Sequence, residues 1–287
     1  MAAVSAPLQS EPGLVARLMG RPTSGIGLIV LVLIALAALL APWIAPYAPA
    51  KLSVAHRLEP PTLQHLFGTD DLGRDVFSRM LYAARTSLSV ALAVDVFSSI
   101  VGIVLGLTAG FFKKLDTPVS RLVDAMMAFP DILLAIALVA ALGPTAVNVV
   151  MALGIVYAPR LARVVRASTL VIRELPYVEA ARALGVPIPV ILVRHVLRNV
   201  ASPILVQGTF IFANAILAEA GLSFLGVGIS PDIPTWGTMI AVGRQYMDQA
   251  GWIMMFPGAA IVITVLALQL VGDSLRDLLD PRLAKDI

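Results

Sequence analysis

Long stretches without a formal charge recur along the chain and alternate with short polar segments. A helix needs about 20 consecutive apolar residues to cross the hydrocarbon core of a bilayer. Five stretches reach this length with at most one charged residue each, and four of them predict one transmembrane helix apiece. They are residues 22–50, 86–112 with the single charge Asp95, 199–231 with the single charge Glu219, and 249–272.

The first stretch has the flanks of a membrane anchor. Arg17 and Arg21 precede it, and Trp43 and Tyr47 lie near its end, where aromatic rings favour the membrane interface. The apolar core of a signal peptide is usually only about 7 to 15 residues long. The longer run therefore favours an uncleaved anchor helix over residues 26–46.

Residues 132–159 fit either one long helix or two arms of a hairpin, because Gly143 and Pro144 interrupt them. Short cytoplasmic loops collect Lys and Arg, and only the hairpin leaves the seven arginines of 160–198 on the same side as Lys113 and Lys114. We therefore predict a hairpin. Six transmembrane helices follow, with both termini cytoplasmic and 15 of the 21 basic residues on that side.

The first arm of the hairpin has to begin upstream of its apolar run. Thr117 is suited to cap a helix there and Pro118 to occupy its first turn. Phe129–Pro130 predicts a bend in this arm. The second arm is expected to run past Pro159, with arginines that reach back to the cytosol.

Composition agrees with a membrane protein. Hydrophobic residues make up 59% of the chain and charged residues only 14%, where soluble domains carry about 25%. The absence of cysteine excludes disulfides, thiol chemistry and Cys-ligated metals, and the three histidines lie far apart in sequence. The net charge of +3 reflects basic loops and does not indicate binding to nucleic acid.

These observations predict an all-α polytopic membrane protein with one domain and a loosely attached first helix. The expected divisions are a cytoplasmic tail at 1–25, the anchor at 26–46, an outer loop at 47–85, a five-helix core at 86–273 with a cytoplasmic loop at 160–200, and a C-terminal tail at 274–287.

The cytoplasmic loop contains a short helix signal. Proline at 176 suits a helix start, and Gly185, followed by Pro187 and Pro189, suits its end. Small alanines between them allow close approach of another surface, and flanking charges can fix its register. A solvated connector is the alternative interpretation of the same composition.

The loop contains EAARALG at 179–185 and HVLRN at 195–199. These residues resemble the EAA loop of permease subunits in ATP-binding-cassette importers, a resemblance that implies the type I importer permease fold and a place in a bacterial inner membrane. The resemblance implies a coupling helix that docks on an ATPase subunit. Arg198 stands where that family commonly has proline, which puts the local re-entry bend in question. The positions that the resemblance assigns to coupling are Glu179, Ala180, Ala181, Arg182, Gly185, His195 and Asn199.

Two further blocks are similar to the second permease of dipeptide, oligopeptide and nickel importers. One spans residues 65–79, HLFGTDDLGRDVFSR, followed by ARTSL at 84–88; the other is AEAGLSFLG at 218–226 with PTWG at 234–237. Within the first block, the signature positions are Gly68, Thr69, Asp70, Gly73, Arg74, Asp75, Ser78 and Arg79.

The alternating acids and bases of the first block predict a folded outer loop whose charges pair with each other or with a docking protein. We expect these pairs at a water-exposed surface, where each contributes only about 0 to 1 kcal/mol. They would then shape the loop without holding the protein together.

Asp95 and Glu219 are candidates for the transport pathway, because a carboxylate within a membrane span usually faces a cavity or a partner. A structural alternative exists for each. Asp95 can bond Ser98 or Ser99, and Glu219, near the outer end of its helix, can simply reach water.

Three classes of function are compatible with the sequence to different degrees. A permease subunit powered by separate ATPases fits best, since no lysine lies in a Gly-x-x-x-x-Gly-Lys-[Ser/Thr] phosphate loop. An ion-coupled secondary transporter would use Asp95 and Glu219 instead, although no inverted repeat is evident. An intramembrane hydrolase built on Ser223 lacks a histidine base in any predicted span.

The family resemblance implies the partners. They are a second permease, two ATPase subunits that bind ATP and Mg, an extracytoplasmic substrate-binding protein, and membrane lipid. The chain itself is then a non-catalytic subunit without a cofactor. The cargo expected from the resemblance is a di- or oligopeptide, with nickel or another small solute as the alternative.

Overall fold

A computed structural model describes residues 14–279, and within that range the regular structure is entirely helical. The helices are α1 Leu14–Met19, α2 Pro22–Leu39, α3 Ala41–Ile44, α4 Val76–Phe111, α5 Lys113–Met127, α6 Asp131–Leu142, α7 Ala146–Ile172, α8 Pro176–Ala183, α9 Ile188–Val190, α10 Arg198–Phe224, α11 Trp236–Gly243 and α12 Trp252–Leu279. A π-helical segment, Ile191–Leu197, joins α9 to α10, so one continuous helix runs over Ile188–Phe224.

Five of these helices are long and apolar enough to cross a membrane, and a bent pair makes a sixth where its two helices count as one span. The pair is α5 and α6, which meet at 92° across the predicted bend at Phe129–Pro130. Gly143–Thr145 then link α6 to α7, which confirms the hairpin. The predicted start of its first arm is wrong: α5 begins at Lys113, with Phe112 at the N-cap, and Pro118 lies inside the helix.

The second span is longer than its apolar run. Helix α4 begins at Val76, ten residues before the uncharged stretch, because Asp75 caps it and accepts a hydrogen bond from the Ser78 amide. Its 36 residues extend about 54 Å at 1.5 Å per residue, well beyond a hydrocarbon core of about 30 Å. The last ten residues of the outer loop expected over 47–85, which include Ser78 and Arg79, are therefore helical and belong to α4.

Helices α4 and α7 cross at very short distance along a ridge of three glycines. Gly102, Gly106 and Gly110 recur every fourth residue, so they share one face of α4. An added Cβ at Gly106 would lie 2.6 Å from Cβ of Val165, and one at Gly110 would lie 2.5 Å from Cβ of Thr169. Small residues that admit a neighbouring backbone are typical of helix pairs in membranes.

The first helix is not loosely attached, in contrast to the sequence prediction. Helix α2 packs on α12, where an added Cβ at Gly27 would lie only 2.9 Å from the carbonyl oxygen of Ala267. Arg21, just before α2, forms an ion pair of 3.2 Å with Asp277 of α12. The anchor is therefore docked on the core at this end.

Candidate functional site

The loop between α7 and α10, residues 173–199, is called the α8 loop below. Proline at 176 occupies the first turn of α8, and Gly185, with φ +74°, ends it in the left-handed conformation. The amide of Gly185 donates to the carbonyl of Arg182, and the amide of Val186 donates to that of Ala181, both at 3.0 Å. This is a Schellman ending, so the predicted helix boundaries are confirmed by their hydrogen bonds.

Helix α8 has an inward and an outward face. Val178 and Ala181 are buried against the rest of the loop, whereas Glu179, Ala180 and Arg182 are exposed. Leu184, directly after the helix, is 84% exposed. Sequence reasoning missed this leucine, although an apolar residue beside a helix-ending glycine was a visible signal.

Two arginines tie the α8 loop to the end of α4. Arg173 donates a hydrogen bond of 2.7 Å to the carbonyl of Gly110 and a second of 2.8 Å to Glu174. The guanidinium of Arg182 lies 4.5 Å from the ring centroid of Phe111, a cation–π contact. The exposed face of α8 is thus carried on contacts with the last turn of α4.

The other end of the loop is braced by the remaining motif residues. The Asn199 side chain donates to the Tyr177 hydroxyl at 3.2 Å and to the His195 carbonyl at 2.6 Å. The rings of Tyr177 and His195 lie 6.1 Å apart. Arg198, in the position where the resembled family has proline, lies within the continuous helix, so the chain re-enters the bundle without a break.

A cleft of about 910 Å³ separates α8 from the junction of α4 and α5. Glu179 and Arg182 line one side, and Lys113 and Lys114 line the other. The motif residues therefore face open space on this side of the loop, and charged groups of both signs surround that space.

Three arginines on α7, which the sequence indicates only as markers of the cytoplasmic side, have acidic partners. Arg166 binds Asp116 of α5 through two bonds of 2.6 and 3.1 Å, Arg163 binds Asp124 at 2.7 Å, and Arg160 pairs with Asp131 at the start of α6. These three ion pairs fasten both arms of the bent pair to α7. Sequence spacing could not reveal them, because the partners are brought together by the bend.

At the opposite end of α4, the signature residues fold into what is called the α4 entry block, residues 68–79. Asp70 accepts from the amides of Leu72 and Arg74 at 2.9 Å and from Nε of Arg74 at 2.6 Å, with Nε of Arg79 at 3.5 Å. Gly68 and Gly73 both have positive φ, as tight turns require.

Neighbouring segments close over the block. Asp75 accepts from His65 at 2.9 Å, Ser78 accepts from the amide of Tyr47 at 3.2 Å, and the indole of Trp252 donates to the carbonyl of Thr69 at 3.1 Å. Asp70 is 3% exposed and Arg79 is 4% exposed. The expectation of water-exposed charge pairs is wrong: the pairs that Asp70 makes with Arg74 and Arg79 are buried within the block. Hydrogen bonds with His65, Tyr47 and Trp252 join the block to its neighbours.

Asp95 lies half-buried on α4 and faces α10. Ser99 donates to one of its carboxylate oxygens at 3.4 Å, and an added Cβ at Gly208 would lie 3.4 Å from the same oxygen. The local bond to Ser99 therefore exists, as the structural alternative required. Because Gly208 has no side chain, the Asp95 carboxylate has room between α4 and α10.

Glu219 is 1% exposed, so the expectation that it reaches water is wrong. One carboxylate oxygen accepts from Ser223 at 2.8 Å and from Thr235 at 2.9 Å. Thr235 in turn caps α11. The other oxygen is buried without a hydrogen-bond partner among the described residues. Glu219 thus links α10 to the start of α11, and the Ser223 hydroxyl donates its hydrogen bond to the same carboxylate.

Helical spans, a braced loop at one end of α4 and a buried charged block at its other end are features of a polytopic membrane protein. Relatives and a solved structure give its class, a permease with the type I importer fold. Residues 100–285 match the family model described as "Binding-protein-dependent transport system inner membrane component". Residues 14–61 match the model described as "N-terminal TM domain of oligopeptide transport permease C". The chain belongs to the family of binding-protein-dependent transport system inner membrane components.

Relatives and a solved structure agree. A putative peptide transport system permease of Brucella suis is 53% identical, and the match covers 93% of this chain and 90% of the relative. The di/tripeptide transport system permease DppC of Pseudomonas aeruginosa is 44% identical, and the match covers 90% of this chain and 87% of the relative. A chain of the MetNI methionine ABC transporter, in an inward-facing conformation, superposes with a TM-score of 0.56 at 20% identity over 71% of this chain and 97% of that one.

Proposed function

We propose that this chain is one of two permease subunits in a bacterial importer that moves di- and oligopeptides inward, driven by two separate ATPase subunits. The relatives named for peptide, di/tripeptide and glutathione transport support a peptide cargo. Nickel or another small solute is the alternative. A substrate-binding protein on the outer face would deliver the cargo to the two permeases.

The structure of the α8 loop is the main observation that supports this proposal. The loop presents an exposed face with Glu179 and Leu184, and Arg173 and Arg182 fix that face to the end of α4. A surface held in this way can pass a push from a docked ATPase to a membrane-spanning helix. ATP and Mg would be bound by the ATPases, since this chain has no phosphate-binding loop.

The proposed orientation places the α8 loop and both termini in the cytosol and the α4 entry block on the outer face. Because the chain has no cysteine, Glu179→Cys introduces a single labelling site. A membrane-impermeant maleimide should label it only in inverted vesicles, and Leu63→Cys, at a 97% exposed position before the entry block, only in right-side-out vesicles. Labelling of Glu179→Cys from outside would overturn the orientation.

Coupling is tested in vesicles that contain the whole importer, with the loaded binding protein supplied from outside. Leu184→Asp and Glu179→Lys should each lower substrate-stimulated ATP hydrolysis at least about tenfold, the effect of losing about 1.4 kcal/mol at an interface. Leu184→Met keeps an apolar side chain of similar volume at the same position, so it should retain most of the stimulation.

Two results would contradict the proposal. Full stimulation in both α8 variants would remove the coupling role of the loop. Solute uptake by vesicles that contain this chain and no ATPase, driven by an ion gradient and lost in Asp95→Asn, would instead establish the ion-coupled transporter. Asp95 is the residue that we propose for the transport pathway, and Glu219, whose carboxylate also links α10 to α11, is the second candidate.

A further inference from the structure

A groove of about 420 Å³ lies between the anchor helix α2 and the core helices α4, α10 and α12. Helices α2 and α12 touch at Gly27, where an added Cβ would meet the carbonyl oxygen of Ala267 at 2.9 Å. Farther along α2, the groove opens beside Leu31, Ile34 and Ala35. All four bordering helices belong to spans of membrane-crossing length, or to the continuous helix that contains one, so the groove lies within the bilayer.

Nine of the eleven residues that line the groove are apolar, and the two polar ones, Arg85 and Ser89, lie one turn apart on α4. The aliphatic walls come from α2 and α4, and Phe212 and Leu268 complete them. Such a surface suits a flexible hydrocarbon chain. Its polar groups are confined to α4, so any polar part of an occupant has to lie there.

Arg85 is exposed and has no carboxylate partner among the described residues. It follows Ser78, which binds the backbone of Tyr47, by seven residues, or about 10 Å along α4. An arginine at such a position in a membrane span usually has an anionic partner or extends toward the headgroup region. A guanidinium binds phosphate through two parallel hydrogen bonds, which a single water cannot replace.

We propose that this groove binds one glycerophospholipid, with an acyl chain between α2 and the core and the phosphate on Arg85. The site needs only the phosphodiester and a chain, which zwitterionic and anionic phospholipids share. The lipid would fill the space that α2 leaves beyond its contact at Gly27, and so join the anchor helix to the core. The proposal does not depend on which solute the importer carries.

The test is native mass spectrometry of the purified importer after equilibration with phosphatidylethanolamine, phosphatidylglycerol and cardiolipin. We expect the unaltered protein to retain one phospholipid per copy of this chain. Arg85→Gln should lower that retention at least about tenfold, or about 1.4 kcal/mol, because it removes the hydrogen bonds from a charged group to the phosphate. Arg85→Lys should retain more lipid than Arg85→Gln, because it keeps the charge.

The groove is tested independently of the arginine. Ala35→Phe fills the apolar part and keeps Arg85, so it should also release the lipid, even if Arg85→Gln does not assemble. Arg57→Gln removes an exposed arginine outside the groove and should change nothing. Unchanged retention in Arg85→Gln and Ala35→Phe would overturn the proposal. So would a photo-crosslinker at Leu39 that captures a protein helix and no lipid.

Discussion

The guanidinium of Arg173 donates a hydrogen bond of 2.7 Å to the carbonyl oxygen of Gly110. Gly110 lies in the last turn of α4, where carbonyl groups have no partner within the helix and the helix dipole favours a positive charge. Arg173 is the residue at which α7 ends and the α8 loop begins. One bond therefore joins the entrance of the loop to the last turn of α4.

Arg173→Met should loosen the α8 loop without unfolding the bundle. The change removes a hydrogen bond to a charged group, which contributes about 1.5 to 3 kcal/mol, and keeps most of the apolar stem. We expect hydrogen exchange of the amides in α8 to accelerate about tenfold or more, and each transported solute to require more ATP.

Arg194→Met is the matched control for that prediction, because Arg194 is an exposed arginine on the same loop with no ion pair among the described residues. Its exchange rates should match those of the unaltered protein. Equal exchange in the Arg173 variant would mean that the bond to Gly110 does not hold the loop.

The glycine ridge between α4 and α7 predicts a large effect from a single methyl group. In Gly106→Ala, the new Cβ would lie 2.6 Å from Cβ of Val165 and 2.7 Å from the carbonyl oxygen of Ala162, so the helices must separate. Overpacking of this kind typically costs about 1 to 3 kcal/mol. Thermal unfolding of the purified complex in detergent should show a clearly lowered midpoint.

Gly258→Ala provides the comparison, since Gly258 lies in α12 with no atom within 4 Å of the added Cβ. Alanine is the better helix former by about 1 kcal/mol, so this variant should be as stable as the parent or more stable. A similar loss of stability in both variants would show that the α4–α7 contact is not the cause.

The features that the sequence predicted correctly have local signals. Apolar runs of bilayer length marked α2, α10 and α12, and the proline and glycine at the ends of α8 marked its boundaries. Each of these depends on residues adjacent in the chain. The bend at Phe129–Pro130 belongs to the same group, because Pro130 lies at the N-cap of α6 and disfavours helical geometry at the residue before it.

The features that it missed depend on residues far apart in the chain. Alternating acids and bases at Asp70 to Arg79 look the same in sequence whether they are exposed or buried. Segments outside the block, among them those of Tyr47 and Trp252, cover it. The partners of Arg163 and Arg166 are set by the position of α5 relative to α7. The polar link of Glu219 to Thr235 closes a loop of 16 residues.

Burial of the α4 entry block predicts that its charges stabilise the protein more than surface pairs would. Asp70→Ala leaves Arg74 and Arg79 buried without their carboxylate, and breaking a buried pair in this way costs about 3 to 5 kcal/mol. Asp71→Ala removes a neighbouring carboxylate that only contacts Arg74 at 3.5 Å, so its cost should be below about 1 kcal/mol. Chemical unfolding of the two variants in detergent measures the difference, and equal costs would contradict the burial argument.

Glu219 is expected to act chiefly as a hydrogen-bond acceptor that holds α11 on α10. Glu219→Ala leaves the hydroxyls of Ser223 and Thr235 without this acceptor in a buried site, at a cost of about 1 to 3 kcal/mol. Glu219→Gln keeps a carbonyl oxygen at the same place, so it should retain most of the stability and most of the transport. Unfolding midpoints and uptake in vesicles are measured for both variants. If Glu219→Gln folds normally but no longer transports, the negative charge itself is required, and Glu219 then belongs to the pathway and not only to the link between the two helices.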